Sequence, residues 1–332
     1  MQHIIFGAGL IGGYLYGALQ SQGESVSMVA RPEVAAKLGD GLQLSDYQGH
    51  QHVIEQVQFA DLEQASSCDY LWLTVKCTAV VEALEGIIPL LHDDTVIFCC
   101  QNGLGSADLV QQRLPGHRVL HVMVMFNVVE LGSGKLHRGS QGRLFLESDA
   151  EEIAALADKL NCDLLPTVAT RDIHPVLWAK LQLNLANAVS ALADLPVKAM
   201  LEQRAYRLCI ALLMRELIAV ARAKHIRIAR LTPLPAHWFP FLLHAPDAPF
   251  RLVTGKILTI DPTVRTSMWW DIHNQRLTEV DYLNGAVVAE AECLGLSCPA
   301  NSRIVAMVHE LERNERSGGI SADQLYRELS AM

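Results

Sequence analysis

The chain has 332 residues, half of them hydrophobic and 19% charged, which is too long for one ordinary core and describes about two globular domains. The formal charge of −9 excludes the clustered lysine and arginine of a nucleic-acid footprint, and the longest apolar candidate, 208–221, is interrupted by Arg215 and Glu216, so no membrane span is expected. The eight cysteines (68, 77, 99, 100, 162, 209, 293 and 298) form no C-x-x-C pair and have no histidines at zinc spacing, so they read as reduced core residues without a metal.

A strand opens the chain at His3 or Ile4, leaving no room for a signal peptide, and a cytoplasmic location is expected. The strand Ile4-Ile5-Phe6 runs into Gly7-Ala8-Gly9-Leu10-Ile11-Gly12 and an amphipathic helix over about 10–20. This is the G-x-G-x-x-G pattern of a dinucleotide-binding turn. Gly7 permits the sharp turn, Gly9 lets backbone amides approach a pyrophosphate, and Gly12 lets the helix sit close on the strand. Unpaired N–H groups at the helix start then face the phosphates.

The second strand, 26–30, ends in Ala30-Arg31. A fold selective for NAD usually places Asp or Glu here for the ribose 2′-hydroxyl, whereas a guanidinium suits a 2′-phosphate, so NADP(H) is the expected cofactor. Short strands with polar turns are expected over 39–58, a buried strand over 69–75 ending at Lys76, a helix over 79–91, and a strand over 95–100 ending in Gln101-Asn102-Gly103. In open parallel sheets ligands bind beyond the carboxyl ends of strands, which is where Lys76 and Asn102 fall.

An apolar run over 118–129 precedes a strand over 142–147, read as an antiparallel addition to the sheet; a helix over 149–160 and a last strand over 163–168 follow. From about 170 the pattern is helical, with candidates over 173–193, 198–225, 263–274, 279–295, 301–316 and 322–332 and an irregular Pro- and aromatic-rich stretch over 229–261. The expected architecture is an α/β Rossmann-type dinucleotide-binding domain over 1–170, followed by an all-α domain over 171–332 that carries substrate and catalytic groups.

Three features of the helical half could carry chemistry. Lys180, Asn184 and Asn187, at i, i+4 and i+7, place a stripe of donors on one face of an otherwise apolar helix. Ser267 sits in Thr266-Ser267-Met268-Trp269-Trp270-Asp271. Thr278 could N-cap a helix with Asp281 at its third position, leaving Glu279 in the first helical turn.

The ordered set Gly7-x-Gly9-x-x-Gly12, Val75-Lys76, Gln101-Asn102-Gly103, Lys180-x-x-x-Asn184, Ser267-Met268 and Thr278-Glu279-Val280-Asp281-x-x-x-Gly285 resembles the ketopantoate reductases (2-dehydropantoate 2-reductases) over nearly the whole chain. The resemblance implies NADPH-dependent reduction of a small 2-oxo acid, ketopantoate to pantoate foremost. Lys180 would be the proton donor to the carbonyl oxygen and Glu279 the carboxylate that holds the substrate hydroxyl. It further implies Asn102 beside nicotinamide and substrate, Asn184, Asn187 and Ser267 on the substrate, and Lys76 and Arg31 on the cofactor, Arg31 at the 2′-phosphate.

The departures thin the polar substrate shell. Ala188 stands where a second asparagine is usual, with Asn187 one residue early, and Val197 and Val264 replace asparagines, while Trp269 and Trp270 add bulk beside Ser267. Two alternatives therefore stay open: a family reductase acting on a more apolar ketone or 2-oxo acid, and a non-catalytic NADPH-binding regulatory protein. The exposed face of each helix is not legible in the sequence, so the assembly state stays open, a homodimer among the options.

Overall fold

The computed structural model describes residues 1–61, 67–232, 234–254 and 263–331. It divides into two compact units, Met1–Ile173 and His174–Met332.

The first unit opens with β1 (Gln2–Phe6), α1 (Leu10–Ser21) and β2 (Ser25–Val29), followed by α2 (Pro32–Leu38), β3 (Leu42–Asp46) and β4 (Gln51–Ile54). Then come β5 (Tyr70–Leu73), α3 (Val80–Ile87), β6 (Val96–Cys99), α4 (Ser106–Arg113), β7 (Arg118–Val124), β8 (Val128–Glu130), β9 (Lys135–Arg138), β10 (Leu144–Glu147), α5 (Glu151–Leu160) and β11 (Thr167–Thr170). A seven-stranded sheet has the order β11-β10-β7-β6-β5-β1-β2, with β1, β2, β5, β6 and β7 parallel and β10 antiparallel to β7.

Successive residues of the central strands enter opposite cores, which is why these strands read as unbroken apolar runs. Ile5, Trp72 and Phe98 pack with α1 and α5 on one face, while Ile4, Leu71 and Ile97 pack with α3 and α4 on the other. A second sheet, β4-β3-β9-β8, lies against α1, where a Cβ on Gly17 would stand 2.0 Å from Leu44.

That second sheet holds a buried ion pair. Arg138 of β9 donates to Asp46 Oδ2 of β3 at 2.7 Å and to the Asp163 carbonyl at 2.7 Å. Burial alone would raise the Asp46 carboxyl, but hydrogen bonds from His50, Arg138 and backbone amides of His50 and Gln48 bring it down to about 2.

The apolar run 118–129 is split: β7 ends at Val124, and Val128 begins a strand of the other sheet. β9, Lys-Leu-His-Arg, carried no apolar signal. The last strand lies at Thr167–Thr170 instead of 163–168, because Cys162 and Leu165 exchange backbone bonds of 3.3 and 3.0 Å that curl the intervening residues into a turn.

The second unit is helical: α6 (His174–Asn184), α7 (Ala186–Ala193), α8 (Val197–Leu201), α9 (Arg204–Ala223), α10 (Phe239–His244), α11 (Asp247–Thr254), α12 (Ser267–His273), α13 (Asn284–Glu292), α14 (Pro299–Glu312) and α15 (Ala322–Ser330). The apolar stretch 208–221 belongs to α9, around which α6, α7, α8, α10, α13, α14 and α15 pack. Among the described residues no helix is long and apolar enough to cross a membrane.

Four expected elements are revised. The helix over 173–193 is two helices, α6 and α7, divided at Leu185. The helix over 198–225 is two helices, α8 and α9, parted at Glu202 and Gln203. The stretch 229–261, expected to be irregular, contains a 3-10 turn (Ala236–Trp238), α10 and α11 within its described part, since Pro240 is tolerated in the first turn of α10; residues 255–261 lie outside the described residues. The helix over 279–295 is a 3-10 turn (Val280–Tyr282) followed by α13, broken at Leu283. Of the cysteines, Cys68, Cys77, Cys99, Cys209 and Cys298 are buried, whereas Cys293 is exposed.

Candidate active site

In the first unit the strand order β6-β5-β1-β2 sets the cofactor candidates in a row at the carboxyl ends of neighbouring parallel strands. Asn102 follows β6, Lys76 follows β5, the glycine turn follows β1 and Arg31 follows β2.

Gly7 has φ +116°, a region L side chains rarely adopt. A Cβ on Gly12 would stand 1.9 Å from the Gly7 carbonyl oxygen, so packing of α1 on β1 demands glycine there. Gly9 differs: its Cβ would meet no atom within 4 Å, so what glycine leaves at this position is open space. Gly9 caps α1, whose first turn carries no acidic side chain, and Ala8, Leu10 and Ile11 are half-buried or exposed along the turn. The early N–H groups of α1 therefore face a position suited to an anion.

Arg31 is exposed and caps α2, its carbonyl accepting from Val34 and Ala35 at 2.9 Å. Lys76 is exposed at the start of a 3-10 turn (Cys77–Ala79), and Asn102 is half-buried.

Two further side chains, Thr74 and Gln101, hold this row together. Thr74 Oγ1 donates to the Gly7 carbonyl at 2.6 Å, bracing the glycine turn from the end of β5. The Gln101 amide donates to the carbonyls of Leu73 at 2.8 Å and Val75 at 3.0 Å, tying the loop that bears Asn102 to the one that bears Lys76. Cys77 adds a thiol donor to the Asn102 carbonyl at 3.0 Å. A polar residue at a strand end looks like an ordinary turn former, so the sequence offered little to single out Thr74 or the bracing role of Gln101, which stood only as a motif neighbour of Asn102.

In the second unit Lys180, Asn184 and Asn187 are half-buried, while Val176, Leu177, Trp178, Ala179, Leu181, Gln182, Leu185 and Ala188 around them are buried. The expected stripe is present. A break at Leu185 divides α6 from α7, yet Leu185 still donates to the Leu181 carbonyl at 3.1 Å, so the helical course continues from Lys180 to Asn187. Gln182 donates to the Ala236 carbonyl at 2.9 Å and fixes the rotation of α6.

Burial pushes the Lys180 ammonium from 10.5 down to about 8. Burial is the sole cause of that shift.

Ser267 is exposed at the first position of α12, because Thr266 Oγ1 accepts from the Trp269 amide at 3.3 Å and starts the helix there. α12 packs on α7. Asp194, in the left-handed region at φ 53°, accepts from Trp269 Nε1 at 2.6 Å and pairs with Arg265 at 3.2 Å, joining the end of α7 to the start of α12. Val197 donates its N–H to the Val264 carbonyl at 2.9 Å, so the two valines that depart from the family pattern meet in one place.

Glu279 is buried, but the capping box does not form. Glu279 itself caps the 3-10 turn, Thr278 Oγ1 accepts from the Val280 amide at 3.2 Å, and the Asp281 carboxylate turns to His309 Nε2 at 2.9 Å. The Thr278 N–H that Asp281 would accept in a capping box goes instead to Glu312 Oε1 at 2.7 Å, and the break at Leu283 delays α13.

Two family models match the chain: "Ketopantoate reductase PanE/ApbA" over residues 3–150 and "Ketopantoate reductase PanE/ApbA C terminal" over residues 172–312. The chain belongs to the ketopantoate reductase family. It is thus similar to oxidoreductases. A 2-dehydropantoate 2-reductase of Mesorhizobium japonicum is 27% identical over 339 aligned residues, covering 94% of this chain and 98% of that protein. The crystal structure of a PanE/ApbA family ketopantoate reductase from Ralstonia eutropha JMP134 superposes with a TM-score of 0.78 at 25% identity, covering 96% of this chain and all of that one. A ternary structure of D-mandelate dehydrogenase with NADH and anilino(oxo)acetate shares the fold, with a TM-score of 0.76 at 23% identity over 95% of this chain and 100% of that one.

Proposed function

We propose that this ketopantoate reductase family member catalyses the NADPH-dependent reduction of a 2-oxo acid to the 2-hydroxy acid, with ketopantoate to pantoate as the leading reaction. The observation that carries the reading is Lys180, a half-buried ammonium whose pKa burial brings to about 8, on a helix face shared with Asn184 and Asn187. Reduction of a ketone leaves negative charge on its oxygen, and a lysine poised near neutrality can both stabilise that charge and give up a proton to it.

The residues of the first unit fit a dinucleotide. Open space at Gly9 admits a phosphate against the first amides of α1, and Lys76 and Arg31 supply cationic contacts. Arg31, with no acidic residue at the end of β2, favours the 2′-phosphate of NADPH. The bound dihydronicotinamide would supply the hydride. Asn102 orients the carbonyl, Lys180 protonates its oxygen, Glu279 accepts a hydrogen bond from the substrate hydroxyl, and Asn184, Asn187 and Ser267 hold the remaining polar groups.

A second reading, a more apolar 2-oxo acid, is favoured by the paired Val197 and Val264 and by Trp269 and Trp270 beside Ser267. The D-mandelate dehydrogenase shares the fold while holding NADH, so fold alone decides neither the cofactor's 2′-phosphate nor the substrate side chain. Steady-state rates with NADPH and NADH against ketopantoate and 2-oxo acids lacking its hydroxyl separate the readings. Preference for ketopantoate, lost in Glu279→Gln, supports the first; equal or better use of the unhydroxylated acids supports the second. Cofactor binding without turnover of any carbonyl compound leaves a non-catalytic NADPH-binding protein.

A further inference from the structure

The 3-10 turn that presents Glu279 is bolted to α14 on both sides by one pair of side chains. On the amino side, Glu312 Oε1 accepts the Thr278 N–H at 2.7 Å. On the carboxyl side, Asp281 Oδ1 lies 2.9 Å from His309 Nε2. The two attachments are one unit, because His309 Nδ1 lies 2.8 Å from Glu312 Oε2. Within the turn, the Glu279 carbonyl accepts from the amides of Tyr282 and Leu283 at 3.1 Å, so Glu279 has little latitude once its flanks are held.

The imidazole stands between two carboxylates. An ionised carboxylate only accepts hydrogen bonds, and a neutral imidazole has one donor and one acceptor, so a neutral ring would point a lone pair at one of the two oxygens. Both short contacts are satisfied only when both ring nitrogens carry protons.

We infer that His309 is a positioning residue for the reduction: as an imidazolium it clamps Asp281 to Glu312 and thereby fixes the turn that carries Glu279. The inference rests on the role given to Glu279 under the proposed function.

The charges around the ring agree. Burial by itself would lower the His309 pKa, but the bonds to Glu312 and Asp281 outweigh it and leave it above the ordinary value of 6.5. For Glu312, burial would raise the pKa, and the bonds from Thr278 and His309 leave it lowered, hence ionised. Asp281 from the turn and Glu312 from its own helix are the charged groups that act most strongly on His309.

With a raised folded pKa, the clamp is complete at and below about pH 6.5 and is lost as pH rises through the His309 value. Losing a charge-assisted hydrogen bond in a partly exposed site corresponds to about a tenfold effect on what the turn positions. That effect should fall on KM more than on kcat, since Glu279 holds the substrate hydroxyl while Lys180 delivers the proton.

The test follows the His309 ring by NMR on the full chain and measures KM and kcat for ketopantoate with saturating NADPH across the same pH range. In the wild type the ring titrates above 6.5, and KM rises about tenfold through that midpoint. In Glu312→Gln the amide oxygen still accepts from Thr278 and the amide N–H donates to a neutral ring, so the midpoint falls and the alkaline rise in KM disappears. The Lys180 titration is common to both proteins and cancels in the comparison. His309→Ala should show the raised KM already at pH 6.5, with NADPH affinity unchanged; if it does not fold, the Glu312→Gln comparison decides. A His309 midpoint at or below 6.5, or a KM that ignores the midpoint, overturns the inference. Glu279→Gln run in parallel separates the two levels. If it is impaired while His309→Ala keeps a wild-type KM, only the His309 role falls; if Glu279→Gln is fully active, the role of Glu279 falls and this inference with it.

Discussion

Lys180→Met should make the protein more stable and slow its chemistry. Burial takes the ammonium from 10.5 to about 8, so at pH 7 the folded chain bears a cost of about 3 kcal/mol, at about 1.4 kcal/mol for each tenfold change in protonation. The sign follows from linkage. A lysine with a depressed folded pKa loses affinity for its proton on folding, so the penalty is complete below about pH 8 and fades as pH rises towards 10.5. Methionine keeps the length and helix propensity of the side chain without the charge. Urea denaturation should therefore show Lys180→Met more stable by about 3 kcal/mol at pH 7, with the gap shrinking to under about 1 kcal/mol at pH 10. Over the same comparison kcat should fall by about 10² to 10⁴, the usual contribution of a positioned general acid. A variant no more stable than wild type at pH 7, or a gap that does not close with pH, would show that the ammonium is not desolvated.

Glu279→Gln keeps the shape of a buried side chain and removes its charge, so reduction should be impaired while NADPH affinity measured by fluorescence titration holds; near wild-type turnover removes Glu279 from the site. Arg31→Ala should weaken NADPH binding about tenfold or more, as expected for a charge-assisted contact, and leave NADH nearly unaffected; equal losses with both cofactors would take Arg31 off the 2′-phosphate. Asp46, held at about 2 in the fold against 3.8 ordinarily, contributes about 2 kcal/mol that is present above pH 3.8 and lost as pH falls through 2. Asp46→Asn should flatten that part of the acid denaturation curve, and an unchanged curve would refute the assignment.

The sequence made the parallel core legible because both faces of its strands are buried. Ile4-Ile5, Leu71-Trp72 and Ile97-Phe98 each send one residue into each core, and the resulting apolar runs stand out against the helices between them. β9 was hidden for the opposite reason: its Lys-Leu-His-Arg has one apolar residue, and it is held by the Arg138 and Asp46 pair between strands 92 residues apart. The candidate residues Lys180, Asn184 and Asn187 could be found from helical spacing, a local property. The turn at Glu279 could not, because the Thr278 N–H and the Asp281 carboxylate are taken up by Glu312 and His309 of α14, 34 and 28 residues further along the chain. Thr74, Gln101, Asp194 and His309 share that character. Each is an ordinary polar residue whose importance comes from a partner distant in sequence.

The central claim is that the chain reduces a 2-oxo acid with NADPH through Lys180. Its most direct test is the oxidation of NADPH followed at 340 nm with ketopantoate present, with the product identified by mass. The wild type should consume one NADPH for each pantoate formed, and Lys180→Ala should lose at least about 10² in rate while NADPH still binds. NADPH that binds and is not consumed with any 2-oxo acid, or a Lys180→Ala enzyme as fast as the wild type, would contradict it.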